Sequence, residues 1–200
     1  MTPAGGGMRT PGRRVARFCA LAALLLASGC GPSNPQVELR TPFGSIRIEV
    51  DSVRAPVTAA NFLRYVDEGR FDSASFYRVR REDAEVLMQK GTAVVQGGLW
   101  RGDTTKFLPP IPLESTQQTG LRHTDGVVSL ARFGVDEGRG EFFVVIGDQP
   151  HLDYRAPDRP GYAAFGRVVE GMDLVRQIQR LPVRGEQLAR PIPFSAARVR

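Results

Sequence analysis

Apolar and polar residues alternate twice near the start of the ordered pattern. Val37-Glu38-Leu39-Arg40-Thr41 is the first run and Ser45-Ile46-Arg47-Ile48-Glu49-Val50 the second. Each reads as a strand with one buried face, and Pro42-Phe43-Gly44 between them reads as a hairpin turn. The period then changes. Pro56 opens a stretch in which Ala59, Phe62, Leu63 and Val66 recur at helical spacing, and Gly69 ends it. Short strand-like runs follow at 76–80, 93–96, 126–130, 142–146 and 163–169. Leu174, Val175, Ile178 and Leu181 form a second helical stripe, stopped by Pro182, and 194–200 reads as a closing strand. This pattern predicts seven or eight strands and two helices. The helices do not alternate with strands, which argues against a doubly wound parallel sheet. Strands separated by turn residues point to a closed barrel or a sandwich.

Upstream of this pattern the chain changes character. Residues 1–29 carry Arg9, Arg13, Arg14 and Arg17 and no acidic residue, followed by an apolar run from Phe18 to Ala27. That run is about ten residues long, too short to span roughly 30 Å of hydrocarbon as a helix. A basic flank, a short apolar run and small residues together read as a secretory signal over 1–29. Leu26-Ala27-Ser28-Gly29-Cys30 resembles the bacterial lipobox, in which the Cys becomes a lipidated N-terminus. Residues 30–36 then read as a polar, turn-rich tether, and 37–200 as the folded domain.

This division alters what the composition means. The formal charge of the 200-residue chain is +6, which invites a nucleic-acid reading. Four of the 27 basic residues lie in the signal, leaving 23 against 21 acidic ones, or about +2. So small a balance, on a secreted chain, does not favour nucleic acid as a partner. Of the two cysteines, Cys19 leaves with the signal, so Cys30 has no disulfide partner within the mature chain. With only two histidines, a multi-histidine metal centre is not expected. There is no GxSxG, no P-loop and no HExxH. Asp103, Asp125, Asp136, Asp148 and Asp153 fall in loops, where aspartate commonly forms turns.

More telling are polar residues set among apolar ones at strand edges. Phe76-Tyr77-Arg78-Val79 holds an arginine inside a strand. Val94-Val95-Gln96-Gly97-Gly98 ends a strand in glutamine, and Glu141-Phe142-Phe143-Val144 places aromatics on both faces of a third. Together with 55–63, Gly126-Val127-Val128-Ser129-Leu130-Ala131, Gly147-Asp148-Gln149-Pro150-His151-Leu152-Asp153 and 165–173, these stretches occur in the order found in bacterial cyclophilins. From Val37 to Arg200 the chain resembles that family of peptidyl-prolyl cis-trans isomerases. The resemblance implies a mainly-β fold, a closed eight-stranded antiparallel barrel with two capping helices. It also implies an isomerase of Xaa-Pro bonds that needs no cofactor and no metal.

The resemblance assigns roles residue by residue. Arg78 takes the catalytic position, where its guanidinium meets the proline nitrogen, and Gln96 the position that hydrogen-bonds the substrate backbone. Phe143 and Leu152 match the floor and wall of the proline pocket. Ala131 and Arg132 match the edge that meets the residue before proline, and Tyr162 falls where members carry His or Tyr. The departures from the family pattern are Ala93-Val94 in place of Phe-Met, Arg132 in place of Asn, Glu141 in place of Gln, and His151, expected at the rim, in place of Trp. Residues 81–90 form a polar insertion that either shapes substrate choice or is a solvated loop. Two readings follow. One is an envelope isomerase acting on proline-containing segments of exported proteins, anchored through Cys30 as a monomer, with the outer membrane favoured. The other is a catalytically weak module that binds such segments, motivated by the thinner pocket. Mass spectrometry of the mature N-terminus tests the address: a diacylglyceryl-modified Cys30 is expected, and an unmodified residue there rules the anchor out.

Overall fold

The computed structural model describes Met1 and residues 34–81, 91–100 and 102–199. The proposed signal, Cys30 and most of the 81–90 insertion lie outside the described residues.

Both alternating runs are strands, β1 (Gln36–Thr41) and β2 (Gly44–Val50), joined as a hairpin. Helix α1 (Pro56–Asp67) starts at the proline, and Gly69 follows its end in a left-handed conformation. Its N-terminus is capped from far along the chain. The Glu114 carboxylate accepts from the Val57 and Thr58 amides at 3.1 and 2.6 Å, supplying acceptors to two of the otherwise unpaired amides of a first turn. Then come β3 (Ser75–Arg80), β4 (Val94–Gly98), a single helical turn α2 (Thr116–Thr119), β5 (Val127–Leu130), β6 (Phe142–Val145), β7 (Ala163–Glu170), helix α3 (Met172–Gln179), β8 (Val183–Arg184), β9 (Gln187–Pro193) and β10 (Ser195–Arg198). All ten strands join one antiparallel sheet in the order β10-β1-β2-β7-β5-β6-β4-β3-β9-β8.

Two expectations need correction. Among the described residues the sheet has ten strands rather than eight and its end strands β10 and β8 do not pair, so the ladder is not a closed barrel. A third helix, α2, also stands beside the two foreseen. The missed strands have physical causes. β9 contains Pro191 and Pro193, and proline, lacking an N–H, normally argues against a strand with neighbours on both sides. β9 tolerates it because β8 is only two residues long. α2 spans four residues and shows no period; the Gln118 side chain accepting from the Ser115 amide at 2.7 Å secures its start.

One aromatic cluster anchors the core. Phe62 from α1 packs its ring 5.5 Å from Phe142 on β6 and 5.0 Å from Phe165 on β7. Phe71, Phe76 and Phe194 also pack on Phe142. β6 buries both faces: Phe142 and Val144 enter this core, while Phe143 and Val145 join a separate small cluster on the opposite face. That second face carries the functional groove. Phe142→Ala is therefore expected to cost about 3–5 kcal/mol of stability, the usual range for emptying a buried aromatic site. Denaturant unfolding checks it, read as a lower midpoint with an unchanged slope.

Candidate active site

A bulge in β3 decides which side chains reach the groove. In a regular strand, adjacent side chains point to opposite faces, yet Tyr77 and Arg78 both line it. Phe76 pairs with Gly97 and Arg78 with Gln96, so Tyr77 is an extra residue on β3. Such a bulge bends the strand and re-aims a side chain. β4 sets Gln96 directly across from Arg78, and β6 sets Phe143 across from Gln96. Three adjacent strands thus deliver a cation, an amide and an aromatic ring to one place.

The groove has a volume of about 870 Å³. Its apolar lining includes Val94, Phe143 and Leu152, which are buried together with Val145, with Ala131 and Tyr162 packed against them. Phe143 meets Tyr162 edge-on, ring centres 5.3 Å apart. The Arg132 guanidinium lies 5.1 Å from the Tyr162 ring centre, a cation–π distance. Arg132 also donates from Nε and Nη2 to the Gly161 carbonyl, at 3.2 and 2.6 Å. Behind Phe143, at 6.2 Å and nearly parallel, stands the ring of His123. Its Nδ1 is 2.7 Å from Asp153 Oδ1 and its Nε2 is 2.9 Å from Ser129 Oγ. Burial holds the His123 pKa below the ordinary histidine value. Ser, His and Asp in this order suggest a hydrolytic triad, but Ser129 is completely buried. The three residues instead brace the floor beneath Phe143.

A directed chain of hydrogen bonds runs along the polar wall. Arg78 Nη1 donates to Gln96 Oε1 at 2.9 Å, and Gln96 Nε2 donates to the Tyr77 hydroxyl at 2.7 Å. Tyr77 donates in turn to Glu141 Oε2 at 2.6 Å. Glu141 Oε1 accepts from the Leu99 and Trp100 amides at 2.6 and 2.9 Å. Each partner fixes the next, so the Gln96 amide has its oxygen toward the arginine. Burial pushes the Glu141 carboxyl up to about 7, against the pull of its three donors. Burial raises the Tyr77 hydroxyl as well, and the Glu141 charge adds to it. Gly98 makes this arrangement possible. A Cβ there would stand 2.5 Å from Glu141 Oε1, and its φ of +147° disfavours side-chain-bearing residues.

Arg78, Gln96, Val94, Ala131, Arg132, Glu141, Phe143, Leu152 and Tyr162 all line the groove. His151 does not. Its Nε2 sits 2.7 Å from the hydroxyl of Thr92, which does line the groove, so His151 stands one contact outside the lining. Sequence reasoning did not single out Tyr77, Arg80, Thr92, the exposed rings of Trp100 and Phe133, or Glu186. Of these, Glu186 lies nearest the predicted centre: its Oε2 accepts from Arg78 Nε at 2.7 Å and also from Nη2. A contact across 108 residues leaves no local pattern in the chain.

Three comparisons bear on this arrangement. The family model described as cyclophilin type peptidyl-prolyl cis-trans isomerase/CLD matches residues 36–199. The chain is 31% identical over 171 residues to peptidyl-prolyl cis-trans isomerase cyp18 of Streptomyces antibioticus, covering 82% of this chain and 97% of that one. It is 28% identical over 176 residues to a peptidyl-prolyl cis-trans isomerase of Acinetobacter baylyi, covering 88% of each. Among solved structures, a cyclophilin type peptidyl-prolyl cis-trans isomerase of Cryptosporidium parvum, crystallised in the presence of the dipeptide Ala-Pro, superposes with a TM-score of 0.66. That match covers 82% of this chain and 99% of that one, at 16% identity, and speaks for the fold alone.

The raised Glu141 carboxyl has a measurable consequence. Its ordinary value is 4.5 and its folded value about 7. Between these the folded state holds a proton that the unfolded state releases, so this group's contribution to stability is greatest at the acid end and declines as pH rises toward 7. In Glu141→Gln that decline is absent. The stability of the variant relative to the parent is expected to rise from pH 4.5 to pH 7 by up to about 3 kcal/mol, taking 1.36 kcal/mol per pKa unit. Paired unfolding curves across that window check it, and a flat difference counts against a buried, proton-binding Glu141.

Proposed function

The chain belongs to the cyclophilin-type peptidyl-prolyl cis-trans isomerase family and isomerises Xaa-Pro bonds; from that premise we propose that Arg78 is its catalytic residue and that its substrates are exported proteins. The single observation that carries the first part is the convergence of Arg78, Gln96 and Phe143 from three paired strands on one groove.

The reaction is rotation about an amide whose barrier is about 18–20 kcal/mol, set by resonance between the nitrogen and the carbonyl. Uncatalysed, it takes tens to hundreds of seconds. In the twisted state the nitrogen lone pair is no longer delocalised. A fixed donor aimed at that nitrogen binds the twisted state better than either planar isomer, which is the condition for acceleration. Arg78 meets the requirements, because a guanidinium is permanently charged and presents rigid donors. Phe143 and Leu152 seat the proline ring on an apolar floor, and Gln96 holds the substrate backbone while its oxygen stays on Arg78. Ala131 and Arg132 border the residue before proline, and the tie of Arg132 to Gly161 keeps that border in place. Val94 is smaller than the family's residue, but it is buried against Phe143 and leaves the floor continuous. That continuity favours the enzyme over the catalytically weak binding module.

The second part rests on the leader. A basic flank, a short apolar run and Leu26-Ala27-Ser28-Gly29-Cys30 support export and a lipid anchor at Cys30, with a monomeric domain held at the envelope by a short polar tether. Proline-containing segments of exported proteins are the substrates such a location supplies.

Arg78→Ala is the deciding variant. Loss of one preorganised donor typically costs about 10²–10³ in rate, and a fall of that order is expected in a proline-peptide isomerisation assay. Retained peptide affinity with no acceleration in the parent protein would instead favour the binding module.

A further inference from the structure

The Arg78 guanidinium is gripped by a carboxylate that comes from near the end of the chain. Arg184 pairs with Gln187, so Gly185 and Glu186 form the two-residue turn between β8 and β9. Gly185 has φ +63°, the positive value that primed hairpin turns require at their first central position. The turn is docked on β3 by its backbone, with the Val79 amide donating to the Glu186 carbonyl at 2.9 Å. That bond sits next to Arg78 in sequence and carries the Glu186 side chain to it. One carboxylate oxygen accepts from both Nε and Nη2 of Arg78. The other lies 2.8 Å from Nε of Arg80, whose side chain is only 8% exposed.

We propose that Glu186 is a positioning residue for the isomerisation: its carboxylate holds the Nε–Nη2 edge of Arg78 and leaves one N–H on each terminal nitrogen for the substrate. This rests on the assignment of Arg78 as the catalytic group. A guanidinium carries five N–H donors. Nε–H and one Nη2–H go to Glu186, and one Nη1–H goes to Gln96. Among the described residues two donors remain, one on each terminal nitrogen, in a side chain that lines the groove. A long, flexible arginine would otherwise have to be ordered in the transition state. Here Glu186 on one edge and Gln96 on the other order it before substrate arrives, and prior placement of this kind is what lowers a barrier. Arg80 completes the logic. Both guanidinium groups share the one carboxylate, so the Glu186 charge does not fall on Arg78 alone. The pairing is invisible to the family motifs, because Glu186 lies in the hairpin turn and outside all of them.

The test compares Glu186→Ala and Arg78→Ala in the full chain with a proline-containing peptide. The Glu186 carbonyl still receives the Val79 amide in the alanine variant, so the hairpin keeps its backbone dock. A fall in kcat of about tenfold to a hundredfold is expected, in line with the cost of misplacing a catalytic group, with KM changed by less than about threefold. Glu186→Asp, which keeps the charge, should recover part of the loss. In proton–nitrogen correlation spectra, the Nε–H signal of Arg78, identified by its absence in Arg78→Ala, should be slow to exchange in the parent and lost or fast-exchanging in Glu186→Ala. The substitution also removes a partner of the nearly buried Arg80. The comparison is therefore repeated in an Arg80→Met background, where adding Glu186→Ala should lower kcat by a similar factor. An inactive Arg78→Ala beside an unimpaired Glu186→Ala overturns the clamp alone. A fully active Arg78→Ala overturns the catalytic assignment and the clamp with it.

Discussion

A single extra residue in β3 organises this molecule's chemistry. Were the β3–β4 ladder regular, Tyr77 and Arg78 would face opposite sides of the sheet. The bulge brings both into one groove, and the polar wall is built from them. Gln96 can bridge the two only because both are on its side, and Glu141 can anchor the chain only because Tyr77 turns toward it. A bulge is normally a small local irregularity. Here it sets which atoms meet.

The network that results is charged and largely enclosed, which carries a cost. Withdrawing a carboxylate from water is unfavourable unless its lone pairs are occupied. Glu141 has three donors, yet its carboxyl still titrates near neutrality, so burial outweighs them. Gly98 contributes to the same balance by leaving room for that carboxylate against the backbone. On the other side, Glu186 is shared between two arginines, and neither of its oxygens is left without a cation. In such networks a missing member is dearer than the sum of its bonds. The apolar side of the groove is simpler. Phe143 is held by Tyr162 in front and by the buried His123 behind, so the floor is fixed by packing on both faces.

Much of this was legible in the chain. Alternation located β1 and β2, and proline, glycine and a helical stripe bounded α1 and α3. The motifs around Arg78, Gln96 and Phe143 identified three groups that the folded sheet does bring together. Other features were not legible. β9 carries two prolines and reads as a loop until its short neighbour β8 is seen. His151 occupies the expected motif position, but its ring meets the hydroxyl of Thr92, and it is Thr92 that lines the groove. The pair Gly97-Gly98 carries no motif of its own in the sequence, and the need for Gly98 comes from a carboxylate some forty residues away.

The amino-acid sequence by itself determined the period of the longer elements, the apolar face each of those buries and the family resemblance. These are local properties, written in spacing and composition within about ten residues. Tertiary structure alone decided that the described residues form a ten-stranded sheet whose end strands do not pair, that Tyr77 joins Arg78 on one face, and that Glu186 reaches across the chain to hold the arginine. Each of these depends on strand register, and register is a relation between segments. No single segment carries it, because shifting a strand by one residue exchanges its two faces while leaving its own sequence unchanged.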